Sequence, residues 1–535
     1  MRKLTIALAA LALSAFAFKA SAQDPEEPET LKAAPKRRAD EGKGPFKTMV
    51  IRGATLIDGT GGPPRGPVDI VIEGNRIAAV KSAGTPGLPM KADRDPKKPD
   101  FEIDATGQYV LPGFVDLHVH GGSKAQNEEA EYAYKLWLGH GVTTVRGVSL
   151  ASQPLASSEQ KRSAANEIVA PRMFNYQFFG TGWGKPFPDT PEAAREWMRW
   201  LASQGGDGVK LGSFRPEIMG AILDEAKKLG LGSVAHLGQE GVGQMNAIKA
   251  ARLGLGTVTH FYGHFESLLK DTVVQPWPVN QNNNNEYQRF GQVARLWDKI
   301  YPQGSPEWKA YLEEHLKLGT TFDPTFTIYS AGRDLMKFRY APWHEKYTLP
   351  SLMDFYSPSR VNHGAYWYDW TTEDEVAFRN FYQVWFRLMN DYKKMGGRVT
   401  TGSDSGFIYQ TYGFGYINEL EMLQEAGFHP LEVIQSATMN GALTLHEPKK
   451  KPIEFGVVRP GLLADLIIVP ENPLQNFKTL YGIGALYLND RTGKEDWKGG
   501  VKYTIKDGIV YDAKKLLADV AAMVEKQKKE RAAKK

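Results

Sequence analysis

Between two β-rich ends, the middle of this chain alternates short apolar strands with amphipathic helices. That alternation limits the fold more than any other feature. Strands are read at 115–119, 142–146, 172–179, 208–211, 233–237, 257–261, 320–327 and 398–401, with helical stretches at 128–138, 191–203, 216–229, 243–253 and 373–394. Eight such strands, mostly separated by helices, are what a (β/α)8 TIM-type barrel needs. The 535 residues leave room for a second, smaller unit.

The ends supply that unit. Segments 48–57, 68–73, 76–80, 101–104 and 108–111 read as strands, with Gly74-Asn75 as a two-residue hairpin turn. Similar strands return at 464–469, 503–505 and 509–511, the last two bracketing Lys506-Asp507-Gly508. The pattern predicts an α/β protein whose barrel carries a small β-sandwich domain built from both terminal segments. The predicted divisions are a signal peptide at 1–22, a flexible linker at 23–46, the first part of the β domain at 47–111, the barrel at 112–445, the second part at 446–512 and a basic C-terminal helix at 513–535. Two insertions interrupt the barrel, a polar one at about 265–318 and an aromatic-rich one at about 331–370.

Met1-Arg2-Lys3, an apolar run from Leu4 to Phe18 and Ala20-Ser21-Ala22 form an export signal with cleavage after Ala22. The apolar run is short for a transmembrane helix, which takes about 20 residues. Periplasmic or secreted localisation is expected, with no stable membrane span after cleavage. The chain has no cysteine, which excludes disulfides, thiol nucleophiles and thiolate ligands. The formal charge of +5 comes from the ends: setting aside +3 in the signal and +5 in 514–535 leaves −3 for the body. Nothing in that balance calls for nucleic acid. The tail reads as a solvated helix.

The chemistry concentrates at strand ends. His118 and His120 lie two apart on the first barrel strand, so both point the same way. Later strand ends carry Lys210, His236, His260 and Asp404. Catalytic groups of such barrels sit at the C-terminal ends of the strands. One histidine can be a satisfied core residue, but that account must be repeated at every position. A divalent-metal centre explains the set at once, and neutral imidazoles with a carboxylate suit zinc. A strand-embedded ammonium is costly to bury. Reaction with carbon dioxide would turn Lys210 into an anionic carbamate ligand. Tyr262, two residues after His260, is a candidate to touch substrate.

Leu111-Pro112-Gly113-Phe114-Val115-Asp116-Leu117-His118-Val119-His120 resembles the first-strand signature of the amidohydrolase superfamily. Gly141–Arg146, Ala437–Ala442 and Gly456–Asp465 match its second strand, closing helix and return to the β domain. The likeness runs from about Thr48 to Tyr511 and is strongest to imidazolonepropionase-like and prolidase-like exported members. The resemblance implies that His118, His120 and Asp404 hold one metal, that His236 and His260 hold a second, and that carbamylated Lys210 bridges two zinc ions. It implies hydrolysis of a C–N bond by a metal-held hydroxide, with Asp404 as proton shuttle. It points first to a prolidase-like dipeptidase acting on a small amide or dipeptide, with a homo-oligomer compatible.

The chain departs from the pattern at Gly147-Val148, where an Asp often follows the second-strand Arg, and in both insertions. A one-metal deaminase or cyclic-amide hydrolase usually places Glu three residues after the fifth-strand His; Gln239 stands there. A non-catalytic exported binding protein is the rival from another class, and it predicts spoiled ligands.

Overall fold

The computed structural model describes residues 31–359, 363–364 and 366–534. The expected signal segment lies outside the described residues. The terminal segments build one mixed sheet. Its strands β1 (Thr48–Leu56), β2 (Arg65–Glu73), β3 (Arg76–Ser82), β4 (Phe101–Asp104) and β5 (Tyr109–Pro112) come from the N-terminal side. The Gly74-Asn75 turn joins β2 to β3, with Glu73 paired to Arg76.

The barrel strands follow: β6 (Phe114–Val119), β7 (Val142–Val148), β8 (Arg172–Phe178), β9 (Gly208–Leu211), β10 (Gly232–Ala235), β11 (Thr257–Thr259) and β12 (Thr321–Asp323). They run parallel in sequence order. The eighth place is taken by the extended segment 398–401. The amide of Phe322 donates to Arg398 O at 2.9 Å, that of Thr400 to Phe322 O at 3.0 Å, and that of Leu117 to Thr401 O at 2.9 Å, closing the ring. Residues of β6 and β7 are buried throughout, as strands covered on both faces must be.

The strand expected at 320–327 is shorter. Thr325 takes a left-handed conformation (φ 51°) and starts the helix Phe326–Arg333. The chain then returns to the first sheet through β13 (Leu466–Val469), makes a hairpin of β14 (Ala485–Asn489) and β15 (Lys494–Lys498), and ends the sheet with β16 (Tyr503–Lys506) and β17 (Ile509–Asp512). The order across the sheet is β17-β16-β13-β5-β1-β2-β3, with β4 beside β1, so the two halves meet where β5 pairs with β13.

Two expectations are corrected. Residues 31–46, placed in a flexible linker, are seated on the body: Lys32 pairs with the backbone at 128–130, Ala34 N donates to Glu159, and Lys43 bridges to Val510. Leu31 and Ala34 are buried and Glu41 meets buried Lys135 at 2.8 Å, so the sparse apolar groups and one charge suffice to anchor a polar segment. The helix Ala513–Ala533 is likewise docked rather than solvated. Leu516, Leu517, Val520 and Val524 are buried, and Asp519 joins Glu41 and Glu131 around Lys135. Its far end holds the aromatic-rich insertion: the Gln527 side chain bonds the amide and hydroxyl of Ser351. Among the described residues no helix is long and apolar enough to cross a membrane.

Candidate metal centre

The barrel brings His118, His120, Lys210, His236, His260 and Asp404 together at the C-terminal ends of its strands. One nitrogen each of His118 and His260 and one oxygen of Asp404 lie within 4.8 Å of one another. Asp404 Oδ1 is 3.3 Å from His120 Nε2 and 3.8 Å from His118 Nε2, and its Oδ2 is 3.7 Å from His260 Nε2. Lys210 Nζ is 3.2 Å from His118 Nε2. The His236 ring lies 4.7 Å from that of His260 between centroids.

Each of three histidines has its other nitrogen occupied. His118 Nδ1 meets Thr259 Oγ1 at 2.9 Å, His120 Nδ1 meets Ser149 O at 3.4 Å, and His260 Nδ1 bonds Thr325 Oγ1. That leaves the Nε2 atoms turned inward, the arrangement by which outer groups orient a metal-binding imidazole. His260 Nε2 is buried and has no hydrogen-bond partner among the described residues. A buried orphaned acceptor costs free energy unless something fills it. The donor set therefore fits a divalent cation. Backbone strain gathers at the same place: His260, Thr325, Asp404 and Ser149 all have positive φ.

Electrostatics agree. Burial holds the His118, His236 and His260 imidazoles well below their ordinary value, so they are neutral donors at pH 7. Lys210 helps lower all three. Burial pushes the Lys210 ammonium down to about 7 against the pull of Asp404. Asp116 is pushed up to about 7 by burial, offset partly by bonds from Ser403.

Tyr262 is positioned behind the centre. Its ring stacks on His236 at 4.4 Å, it is 2% exposed, and its hydroxyl accepts from Tyr329 at 3.0 Å. Its contacts are thus with a histidine of the centre and with Tyr329.

Sequence reading missed the support beneath the centre. Asp323, at the end of β12, accepts from Arg146 at 3.0 Å, with both side chains fully buried. Arg146 also donates to Leu117 O at 2.6 Å and lies over the Tyr176 ring. Asp116 accepts from Ser403 and from the His118 amide, tying β6 to the Asp404 loop. An acidic residue ending a barrel strand was the available signal for Asp323.

The two insertions meet over this mouth. Glu286, on the helix Glu286–Ala294, bonds His363 and accepts from the Gly364 amide at 2.8 Å. His363 and His120 both approach the Phe407 ring, at 5.6 and 5.8 Å.

Known proteins place this architecture. Residues 109–275 match the model of the amidohydrolase family. An N-acyl-D-aspartate deacylase of Alcaligenes xylosoxydans xylosoxydans is 32% identical over 213 residues, 33% of this chain and 39% of that protein. A dihydroorotase of Thermoanaerobacter sp. (strain X514) is 40% identical over 73 residues, 14% of each chain. The chain thus spans less than half the length of the curated relatives it matches. Among solved structures, an Xaa-Pro dipeptidase with bound methionine superposes with a TM-score of 0.57 at 21% identity, covering 87% of this chain and all of that one. A bottromycin amidohydrolase gives 0.61 at 17% identity, covering 90% and 91%. The family match over residues 109–275, the fold shared with these structures and the strand-end residues together support an amidohydrolase superfamily member.

Proposed function

We propose that this protein hydrolyses the C–N bond of a small amide or peptide-like substrate at a centre of two divalent metal ions. The observation that carries the reading is the set of inward-turned imidazoles around Asp404 and Lys210, with His260 Nε2 buried and unpartnered. His118, His120 and Asp404 would hold one ion and His236 and His260 the other, with Lys210 as a carbamate between them. Zinc suits these ligand types. When bound, such ions lower the pKa of water toward neutrality and polarise a carbonyl.

The chain's own residues supply the rest. Asp404 is partly exposed (13%) and faces three histidines, so its carboxylate can take a proton and deliver it to the leaving nitrogen. Thr259, Ser149 and Thr325 fix the imidazole orientations. Glu286 joins the two insertions. The names of the relatives direct the first assays toward Xaa-Pro dipeptides and N-acyl amino acids, with the dipeptides first.

The test combines a substrate panel with metal analysis after expression with bicarbonate. Two ions per chain, a carbamate carbon in the NMR spectrum of labelled protein and turnover lost in Asp404→Asn are expected. One tight ion with no carbamate would overturn the two-metal form. Undiminished turnover in Asp404→Asn would overturn the proton-shuttle role. We also propose export with cleavage after Ala22; a purified protein whose sequence starts elsewhere than Gln23 would refute that site.

A further inference from the structure

Arg289 lies in the first turns of the helix Glu286–Ala294, within the insertion after β11. Its neighbour Phe290 packs on Tyr329, whose ring meets His260, at 5.8 and 5.5 Å between centroids. This turn therefore sits over the β10–β11 side of the mouth.

A guanidinium has five N–H donors in a rigid fork. One terminal nitrogen donates to Glu286 at 3.2 Å, and the other reaches Asn283 O at 3.2 Å and Glu240 at 3.4 Å. Nε is buried and has no partner among the described residues.

The two carboxylates differ in kind. Glu286 is 21% exposed and is also held by His363 and the Gly364 amide, so it belongs to the framework. Glu240 is 56% exposed and its hold on Arg289 is a single long contact. It lies four residues after His236, in the loop that leaves β10. Its carboxylate folds back over Gly238, where an added Cβ would stand 2.6 Å from Oε2. A long, exposed pair of this kind contributes little and is easily exchanged. A ligand carboxylate binding a guanidinium through two parallel bonds makes the stronger contact.

We propose that Arg289 receives a carboxylate of the substrate and that Glu240 occupies this place until the substrate arrives. The substrate class is then an amide carrying a free carboxylate close to the bond that is cut, as in an N-acyl amino acid or a dipeptide. The position of that bond rests on the reading under Proposed function. Glu240 acts as a placeholder: it keeps a half-buried cation partnered and leaves when a better acceptor enters.

The test is calorimetric titration of the metal-loaded protein with 4-phenylbutanoate and with 4-phenylbutanamide, a carboxylate and its uncharged counterpart. In Arg289→Met the preference for the acid falls about tenfold, as expected for loss of a charged hydrogen bond. In Glu240→Gln it rises severalfold. An acid preference unchanged in both variants, with native circular dichroism, overturns the proposal. Turnover of N-acyl amino acids and dipeptides is measured separately on the wild type. No turnover with the calorimetric pattern intact refutes the hydrolase reading and leaves the carboxylate site standing. Turnover with no Arg289 dependence does the reverse.

Discussion

Replacing Arg146 by Met should destabilise the protein more than any substitution at the rim of the mouth. The Arg146 and Asp323 side chains are fully buried and 3.0 Å apart. At an effective dielectric of about 20 their attraction is about 5 kcal/mol, before the cost of removing both from water. Deleting the guanidinium leaves Asp323 to the Thr400 hydroxyl, which donates to it at 3.3 Å. Breaking one partner of such a pair costs about 3–5 kcal/mol. Removing both charges restores most of that, because no buried ion is left over. Urea unfolding followed by tryptophan fluorescence on Arg146→Met, Asp323→Asn and the double variant forms a double-mutant cycle. Each single variant should lose about 3 kcal/mol or more, and the double variant should lose well under the sum of the two. Singles within about 1 kcal/mol of wild type, or strict additivity, would show that the pair is not a coupled support and refute the reasoning.

Three further outcomes follow from the same structure. Leu517→Ala removes a side chain buried in the docked C-terminal helix and should cost about 2–5 kcal/mol in urea unfolding; a change under about 1 kcal/mol would mean that the helix is not held by this face. Thr325→Val removes the partner of His260 Nδ1 and should weaken metal binding about 10–100-fold in a chelator competition, while unchanged affinity would remove its orienting role. Burial pushes Glu266 up from 4.5 to about 7. The stability this carboxyl contributes is full below its unfolded value near 4.5 and is lost as pH rises through about 7. Wild type should therefore weaken relative to Glu266→Gln between pH 5 and 8, by at most roughly 3 kcal/mol in paired thermal melts; a constant difference would contradict that sign.

The barrel was readable because its strands are buried on both faces, so apolar runs and polar strand ends stand out in one dimension. His118 and His120 declare themselves by a spacing of two, and Lys210 by an ammonium where none belongs. The supporting pair was hidden because Arg146 and Asp323 are 177 residues apart and only closure of the ring brings them together. Thr259 and Thr325 were hidden for a different reason: a threonine beside a strand end is ordinary until its hydroxyl is seen against an imidazole. The hairpin of β14 and β15 escaped because Lys494-Glu495-Asp496-Trp497-Lys498 lacks the alternation of a half-buried strand, and all five residues are exposed. The docked tail was misjudged because its charge is visible in the sequence, while the surface that receives Leu516, Leu517, Val520 and Val524 is not.

The pairing of β5 with β13 has a consequence for the order in which the molecule comes together. Pro112 lies opposite Leu466, so this ladder joins positions separated by the whole barrel. Closing a loop of about 350 residues in an unfolded chain costs about 5 kcal/mol of entropy. Once the ring has shut, its two ends emerge side by side and most of that cost has already been met. The small sheet is then the last cooperative unit to assemble and a reporter on the barrel. Amide hydrogens of β13 should exchange no more slowly than those of β6, and any lesion that opens the ring should release both together.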